Sequence, residues 1–354
     1  MNSMEEKIDY LFDKYLQEKC FAGGVCFIKH KDKNVFVKAY GKRNRVTNED
    51  VNVDTIFDLA SVTKIFTSTV ILKMVSDEKL TLETTLGECL PRVAGHNVLA
   101  PITIKQLLTH SSGLQAWFPF YTYLSDDLFS LLKKLDLVHQ EQNEVVYSDL
   151  NYILLGEVIK HHYNASLQDV LQQEMVTPLK MKQVTYGSIS SLNVAATEFG
   201  NQIEMQMCHS RNRDFPDWRN TNEPIVGEVN DGNTYYFFKG QSGHAGIFGT
   251  AEDLSKLVDV YSKGGMSENK RFITTNLVQQ SMQNVVEDRG LGWHSSEPFP
   301  EGFGHTGFTG TAIWIVPEKD LQVILLTNRL HVDQPKNINP FRKELYEEVL
   351  NYFS

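Results

Sequence analysis

Asp58-Leu59-Ala60-Ser61-Val62-Thr63-Lys64-Ile65-Phe66, running on to about Val75, is the stretch around which the chain is organised. It is a nearly continuous apolar run of helical length with a serine and a lysine at its front end. Side chains three apart share a helix face, so the Lys64 amine can lie over the Ser61 hydroxyl and turn an unreactive alcohol into a nucleophile. The positive end of the helix dipole and burial both disfavour an ammonium. They predict a Lys64 pKa lowered toward that of a usable base. Seen alone, the pair reads equally well as an ordinary helix N-cap followed by a solvated first-turn lysine. The same spacing recurs at Ser76/Lys79, Ser130/Lys133 and Ser267/Lys270, and none of these opens a buried helix.

Working outward, 354 residues with 41% apolar composition can bury a substantial core, as one large domain or two interlocked lobes. A net charge of −10 argues against nucleic acid or an anionic membrane as a main partner, because both would be repelled. Residues 1–17 alternate apolar with charged residues and read as an amphipathic helix rather than a secretory signal. No run approaches the ~18 apolar residues of a membrane span. Cys20, Cys26, Cys89 and Cys208 lack Cys-x-x-Cys spacing and are too few for a disulfide framework, so buried free thiols and a cytoplasmic location are expected.

Gly23–Lys29 and Asn34–Tyr40 are β-branched runs around the polar turn His30–Lys33, a β-hairpin pattern. Lys79–Pro91 reads as an irregular connection, and Ile102–Thr109 as a short helix capped near Gly113. Asp127–Leu137, Leu150–His161, Leu167–Met175 and Ala251–Tyr261 place apolar residues three and four apart, as helices do. Residues 188–239 are polar, rich in turn signals and without a period; so long a loop is often functional. Gly290–His294, Thr311–Val316 and Leu321–Leu326 read as strands and Phe341–Phe353 as a closing helix. The predicted class is α/β (α+β): an antiparallel sheet flanked by helices, built from both termini (residues 1–75 and 240–354), with a mainly helical lobe (76–239) inserted and a cleft where the two meet.

Two further places can complete a site. Tyr147, Ser148 and Asp149 stand just before a helix, where a phenol can project into a cleft and shuttle protons. Gly304-His305-Thr306-Gly307-Phe308-Thr309-Gly310 precedes a strand, and its glycines let a ligand approach backbone amides suited to an oxyanion. In this order the sequence resembles the serine beta-lactamase and penicillin-binding-protein superfamily, in particular its class C-like branch, with the pattern Ser-x-x-Lys, Tyr-x-Asn and Lys- or His-Thr-Gly. The resemblance spans Phe57–Lys64, Ile102–Leu114, Tyr147–Gly156, Gly240–Leu254 and Phe303–Asn328. It implies Ser61 as nucleophile of an acyl-enzyme, Lys64 as partner base, and Tyr147 as proton relay. It implies the amides of Ser61 and Phe308 as the oxyanion hole, and Asp149, His305, Thr306 and Gly307 as substrate-binding positions.

Two departures from the pattern matter. Asp149 stands where asparagine is usual, and an ionised carboxylate can only accept hydrogen bonds. It would either hold Lys64 charged, weakening it as a base, or bind a donor on the substrate. His305 replaces a lysine, making a fixed cation one that depends on pH. The adjacent His161 and His162 cannot share a helix face, so no metal site is expected and no cofactor is implied. His110 and His244 read as structural, and the segments around Trp117 and Trp218 as pocket lining or packing. The resemblance implies a metal-free serine hydrolase for an ester or amide: a cell-wall peptide or muropeptide, a beta-lactam or a small ester. The alternative is a penicillin-binding or sensing protein that is acylated but turns over poorly.

Overall fold

The β-branched runs at the two ends of the chain pair with each other. In the computed structural model, which describes residues 3–123, 125–134 and 144–353, β1 (Gly23–His30), β2 (Lys33–Asn44) and β3 (Glu49–Asp50) are followed by the short strands β4 (Phe57–Asp58), β5 (Thr185–Tyr186) and β6 (Ile247–Gly249). β7 (Met266–Ser267) and β8 (Lys270–Arg271) form a separate hairpin, and β9 (Phe303–Thr306), β10 (Ala312–Val316) and β11 (Leu321–Thr327) close the series. The main sheet runs β3-β2-β1-β11-β10-β9 and is antiparallel throughout. β4, β6 and β5 make a second, small sheet.

Register decides what each face buries. Val25 opposes Leu326 and Ile313 opposes Ile324, which puts Val25, Phe27, Ile313, Ile315, Ile324 and Leu326 into one core. Their neighbours Cys26, Ile28, Trp314, Val323 and Leu325 enter the other. Strands covered on both faces need uninterrupted apolar sequence, as β10 and β11 have.

The helices are α1 (Met4–Gln17), α2 (Thr63–Ser76), α3 (Leu86–Cys89), α4 (Ile104–Leu108), α5 (Leu128–Lys134), α6 (Asp149–Tyr163), α7 (Leu167–Leu171), α8 (Gln202–His209), α9 (Ala251–Ser262), α10 (Thr275–Ser281) and α11 (Asn339–Phe353). α1 begins at a Ser3/Glu6 capping box and lays Ile8, Leu11, Phe12 and Tyr15 against Phe341 and Leu345 of α11 under one sheet face. α9 packs on the other, and α2 and α6, packed on each other, extend the same core. α2 is buried on nearly every side, as its lack of a polar stripe requires. No helix of the described residues is long and apolar enough to cross a membrane.

Several expectations are corrected. The helix expected from Ser61 starts at Thr63, after a 3₁₀ turn over Ala60–Val62. Gly290–His294 is no strand: Gly292 takes φ 99° and the Gly290 amide donates to the Trp293 carbonyl, so the segment turns instead of extending. The supposedly irregular Lys79–Pro91 holds α3, started by a Thr85/Glu88 capping box. The long polar segment holds α8 and a π-helical turn over Asn233–Phe237. α8 is cryptic because Ile203, Met205 and Met207 alternate as in a strand, while its buried residues are Glu204 and Cys208. α10 and β9 were not expected at all. The end of the expected Asp127–Leu137 helix, and residues 1–2 of the first, lie outside the described residues.

Candidate active site

β4 delivers the chain into the turn that carries Ser61. The Leu59 amide donates to the Ile247 carbonyl at 2.9 Å, and the Thr311 hydroxyl donates to the Leu59 carbonyl at 2.9 Å, which fixes the turn between β6 and the loop after β9. Ser61 is not a cap: the N-cap position of α2 is Val62, with no side-chain bond.

Lys64, one turn on, is wholly buried. Its Nζ donates to Ser61 Oγ at 3.0 Å, to Asp149 Oδ1 at 2.8 Å and to the His244 carbonyl at 3.1 Å. The predicted lowering of its pKa is therefore overturned. Burial does push the amine down, but the Asp149 carboxylate and the Tyr147 oxygen outweigh it and hold Lys64 above the ordinary lysine range. Of the two readings of Asp149, the geometry is that of the first. The competing serines are differently engaged: Ser76 accepts from the Thr274 amide while Lys79 lies over the Tyr163 ring, Ser130 donates to Asp127, and Ser267 sits in the β7–β8 hairpin.

Tyr147 ends the segment leading into α6, whose N-cap is Ser148 and first residue Asp149. Its ring centroid is 5.0 Å from Lys64 Nζ, 4.6 Å from the His110 ring and 6.1 Å from the His305 ring. His110 accepts the Ser148 amide on Nδ1 at 3.0 Å, steadying that junction. Arg289, absent from the expected site, places its guanidinium 5.5 Å from the Tyr147 ring centroid.

His305 departs from expectation. It is 2% exposed and its Nδ1 donates to the Thr306 carbonyl at 2.9 Å. Burial above all, then His294, Lys64 and Arg289, drives its pKa well below the ordinary histidine range. It is thus a neutral side chain beside Tyr147, not a pH-dependent cation facing the substrate.

Thr306, Gly307 and Phe308 do line the cavity, with Ser61, Tyr147 and Asp149. It measures about 500 Å³, and its walls also carry Trp117, Glu204, Asp231, Arg329, Lys336 and Arg342. Trp218 instead packs with Tyr121, Phe215 and Tyr236. The Phe308 amide donates to no protein acceptor among the described residues. Gly307 is needed for close approach: a Cβ there would lie 2.1 Å from Thr311 Oγ1 and 2.6 Å from the Leu59 carbonyl oxygen.

The cavity carries charges of both signs. Arg342 is 5% exposed and, among the described residues, bonds only to neutral oxygens of Asn339, Gly307 and Thr311. Arg329 bonds the Phe308 and Lys336 carbonyls, and Lys336 the Glu18 carbonyl. Asp231 also lines it, bonded to His244 Nε2 at 3.0 Å and to Thr234, contacts that outweigh burial and keep its pKa low. Burial, and then the charge of Asp231, raise the pKa of Glu204. Ligand atoms of Asp149, Asp231 and His244 lie within 4.8 Å of one another, a set that could suit a metal ion. Here the Lys64 ammonium already sits on Asp149 and the imidazole on Asp231, so the cation of this cluster is the lysine. Asp231, Glu204, Arg289 and Arg342 were missed in the sequence; Asp231 and Gly232 were visible, but only as turn signals.

Known proteins resemble the chain over most of its length. The family model described as Beta-lactamase matches residues 8–347. An N-acetylmuramyl-L-alanine amidase of Bacillus subtilis (strain 168) is 29% identical, covering 94% of this chain and 84% of the relative. A protein of Escherichia coli (strain K12), provisionally named a D-alanyl-D-alanine carboxypeptidase, is 27% identical over 81% of this chain and 73% of its own length. A class C beta lactamase from Rhodobacter sphaeroides shares the fold with TM-score 0.69 at 18% identity, covering 98% of this chain and 99% of that one. With a family match spanning nearly its whole length, the chain belongs to the beta-lactamase family, among the serine hydrolases that resemble class C beta-lactamases and penicillin-binding proteins.

Proposed function

We propose that this enzyme cleaves an amide or ester bond in a small, carboxylate-bearing substrate through an acyl-enzyme on Ser61. The observation that carries the reading is the Ser61 Oγ to Lys64 Nζ hydrogen bond of 3.0 Å at the wall of a cavity open to ligand. Ser61 attacks the carbonyl while the Tyr147 phenol accepts its proton and gives its own to the leaving atom; the amides of Ser61 and Phe308 receive the oxyanion, and a water that passes its proton through Tyr147 back to Ser61 then releases the acyl group. Lys64, held charged, serves by steadying negative charge on the reacting oxygens rather than by accepting a proton. A carboxylate is favoured because Arg329, Lys336 and Arg342 line the cavity without a carboxylate partner among the described residues. Relatives named as an N-acetylmuramyl-L-alanine amidase and, provisionally, a D-alanyl-D-alanine carboxypeptidase support the same substrate class.

The test is turnover of muropeptide-type peptides with a free or an amidated C-terminus, alongside a chromogenic ester and a cephalosporin. The free carboxylate should be preferred by about tenfold or more in kcat/KM. Equal turnover of the amidated peptide would remove the carboxylate from the reading. One observation favours a second reading, a sensor that is acylated and hardly turns over: Asp149 keeps Lys64 from acting as a base for deacylation. Stoichiometric labelling by a fluorescent penicillin without product would select it.

Gly307→Ala tests the oxyanion assignment. The new methyl would push the 306–309 loop away from Thr311 and the Leu59 carbonyl, and with it the Phe308 amide. Loss of one oxyanion donor costs ~3 kcal/mol in the transition state, so kcat should fall roughly a hundredfold while KM changes little. A kcat within twofold of the parent would show that Phe308 is not a donor.

A further inference from the structure

Asp58 is 2% exposed and lies outside the cavity lining, yet it is bonded toward three of the cavity's walls. Its Oδ1 accepts the Ala60 amide at 2.8 Å, and its Oδ2 accepts the Asn230 amide at 2.7 Å. Its backbone carbonyl accepts the Thr309 hydroxyl at 2.7 Å. Ala60 precedes the nucleophile candidate, Asn230 and Asp231 also line the cavity, and Thr309 follows the Phe308 amide. Ala60 also holds φ at 45°, a left-handed conformation that a Cβ resists and that the bond to Asp58 stabilises.

We propose that Asp58 is a positioning residue, whose carboxylate clasps the Ser61 turn to the Asn230–Asp231 wall and, through its carbonyl, to the Thr306–Thr309 loop. This rests on Ser61 being the nucleophile. Only the ionised form accepts both amides as charge-assisted bonds; the protonated form weakens the clasp, frees Ala60 from its strained conformation and lets the Ser61 hydroxyl and amide drift.

The clasp is poised to titrate. Burial pushes the Asp58 carboxyl up to about 6, against the pull of the Asn230 and Ala60 amides. Of the charged groups acting on it, Asp231 raises it further and Arg219 lowers it. The other neighbours facing it, Thr309 of the loop after β9 and Phe248 of β6, are uncharged. The ionised, working form therefore predominates above about pH 6 and is lost as pH falls through that value.

The test is the pH dependence of Ser61 acylation and turnover, with Asp58→Asn as the variant. In the parent, activity should fall about tenfold between pH 7.5 and 5. Asp58→Asn retains one acceptor and no titration: its kcat should be lower by at least tenfold at pH 7.5, with KM little changed, and should stay flat down to pH 5. A variant with parental kcat, or with the same acid limb, would overturn the proposal. Hydrogen-exchange protection of the Ala60 and Asn230 amides in the unmodified protein gives a readout that needs no activity and no variant. Their protection factors should drop as pH passes below 6, and unchanged protection between pH 7.5 and 5 would also overturn it. Lost protection in a protein that never acylates on Ser61 would leave the clasp standing and sink the nucleophile assignment instead.

Discussion

Ser61→Ala is expected to abolish covalent labelling by a fluorescent penicillin and to lower ester and peptide turnover by at least about 10⁴-fold, with the fold unchanged. The magnitude follows from the covalent step: without the alcohol no acyl-enzyme forms, and the amides and cations around the cavity are left to catalyse only direct attack by water. Ser61 is only half-buried and caps no helix, so its removal leaves neither a cavity in the core nor an orphaned backbone group. The thermal midpoint should therefore stay within a few degrees of the parent. Ser76→Ala, Ser130→Ala and Ser267→Ala serve as controls and should keep parental labelling, since none of these hydroxyls meets a lysine amine among the described contacts. Persistent acylation of the Ser61 variant would mean that another group is the nucleophile.

That control set also shows what the sequence could decide. Four serines share the Ser-x-x-Lys spacing, and what separates Ser61 is the apolar helix behind it, a local pattern that needs no distant information. The central strands and most helices were legible for the same reason, because periodicity is local. Electrostatic states were not. Lys64 meets a carboxylate 85 residues away, and no feature of the 58–75 stretch announces it. His305 lost its anticipated charge to burial against His294 and Tyr147, which arrive from two separate segments. α8 stayed hidden because a carboxyl and a thiol, not its methionines, face inward. Propensity is a weak guide wherever tertiary packing inverts the usual order of polar and apolar faces.

Asp149→Asn should be the costliest single change that leaves the nucleophile in place. It deprives a wholly buried ammonium of its counter-ion, and breaking such a pair typically costs about 3–5 kcal/mol. The sign of the pH dependence distinguishes this cause from loose packing. In the parent, the folded-state pKa of Lys64 lies above its unfolded value of about 10.5, so its contribution is complete below that pH and is lost only as pH rises beyond it. In the variant, burial acts without the opposing carboxylate and should carry the folded-state pKa below 10.5. The unfolded chain then binds more protons than the folded one, and stability should rise with pH across that window. Parent and variant midpoints should thus converge as pH increases from 7 to 10. The kinetics should move with them: a lysine that can lose its proton becomes able to take one from Ser61, so the variant should gain, between pH 7 and 10, a limb of activity rising with pH that the parent lacks in that window. Thermal melts and pH–rate profiles on both proteins decide the point. Parallel stability curves together with superimposable profiles would show that Asp149 does not hold Lys64 in its charged state.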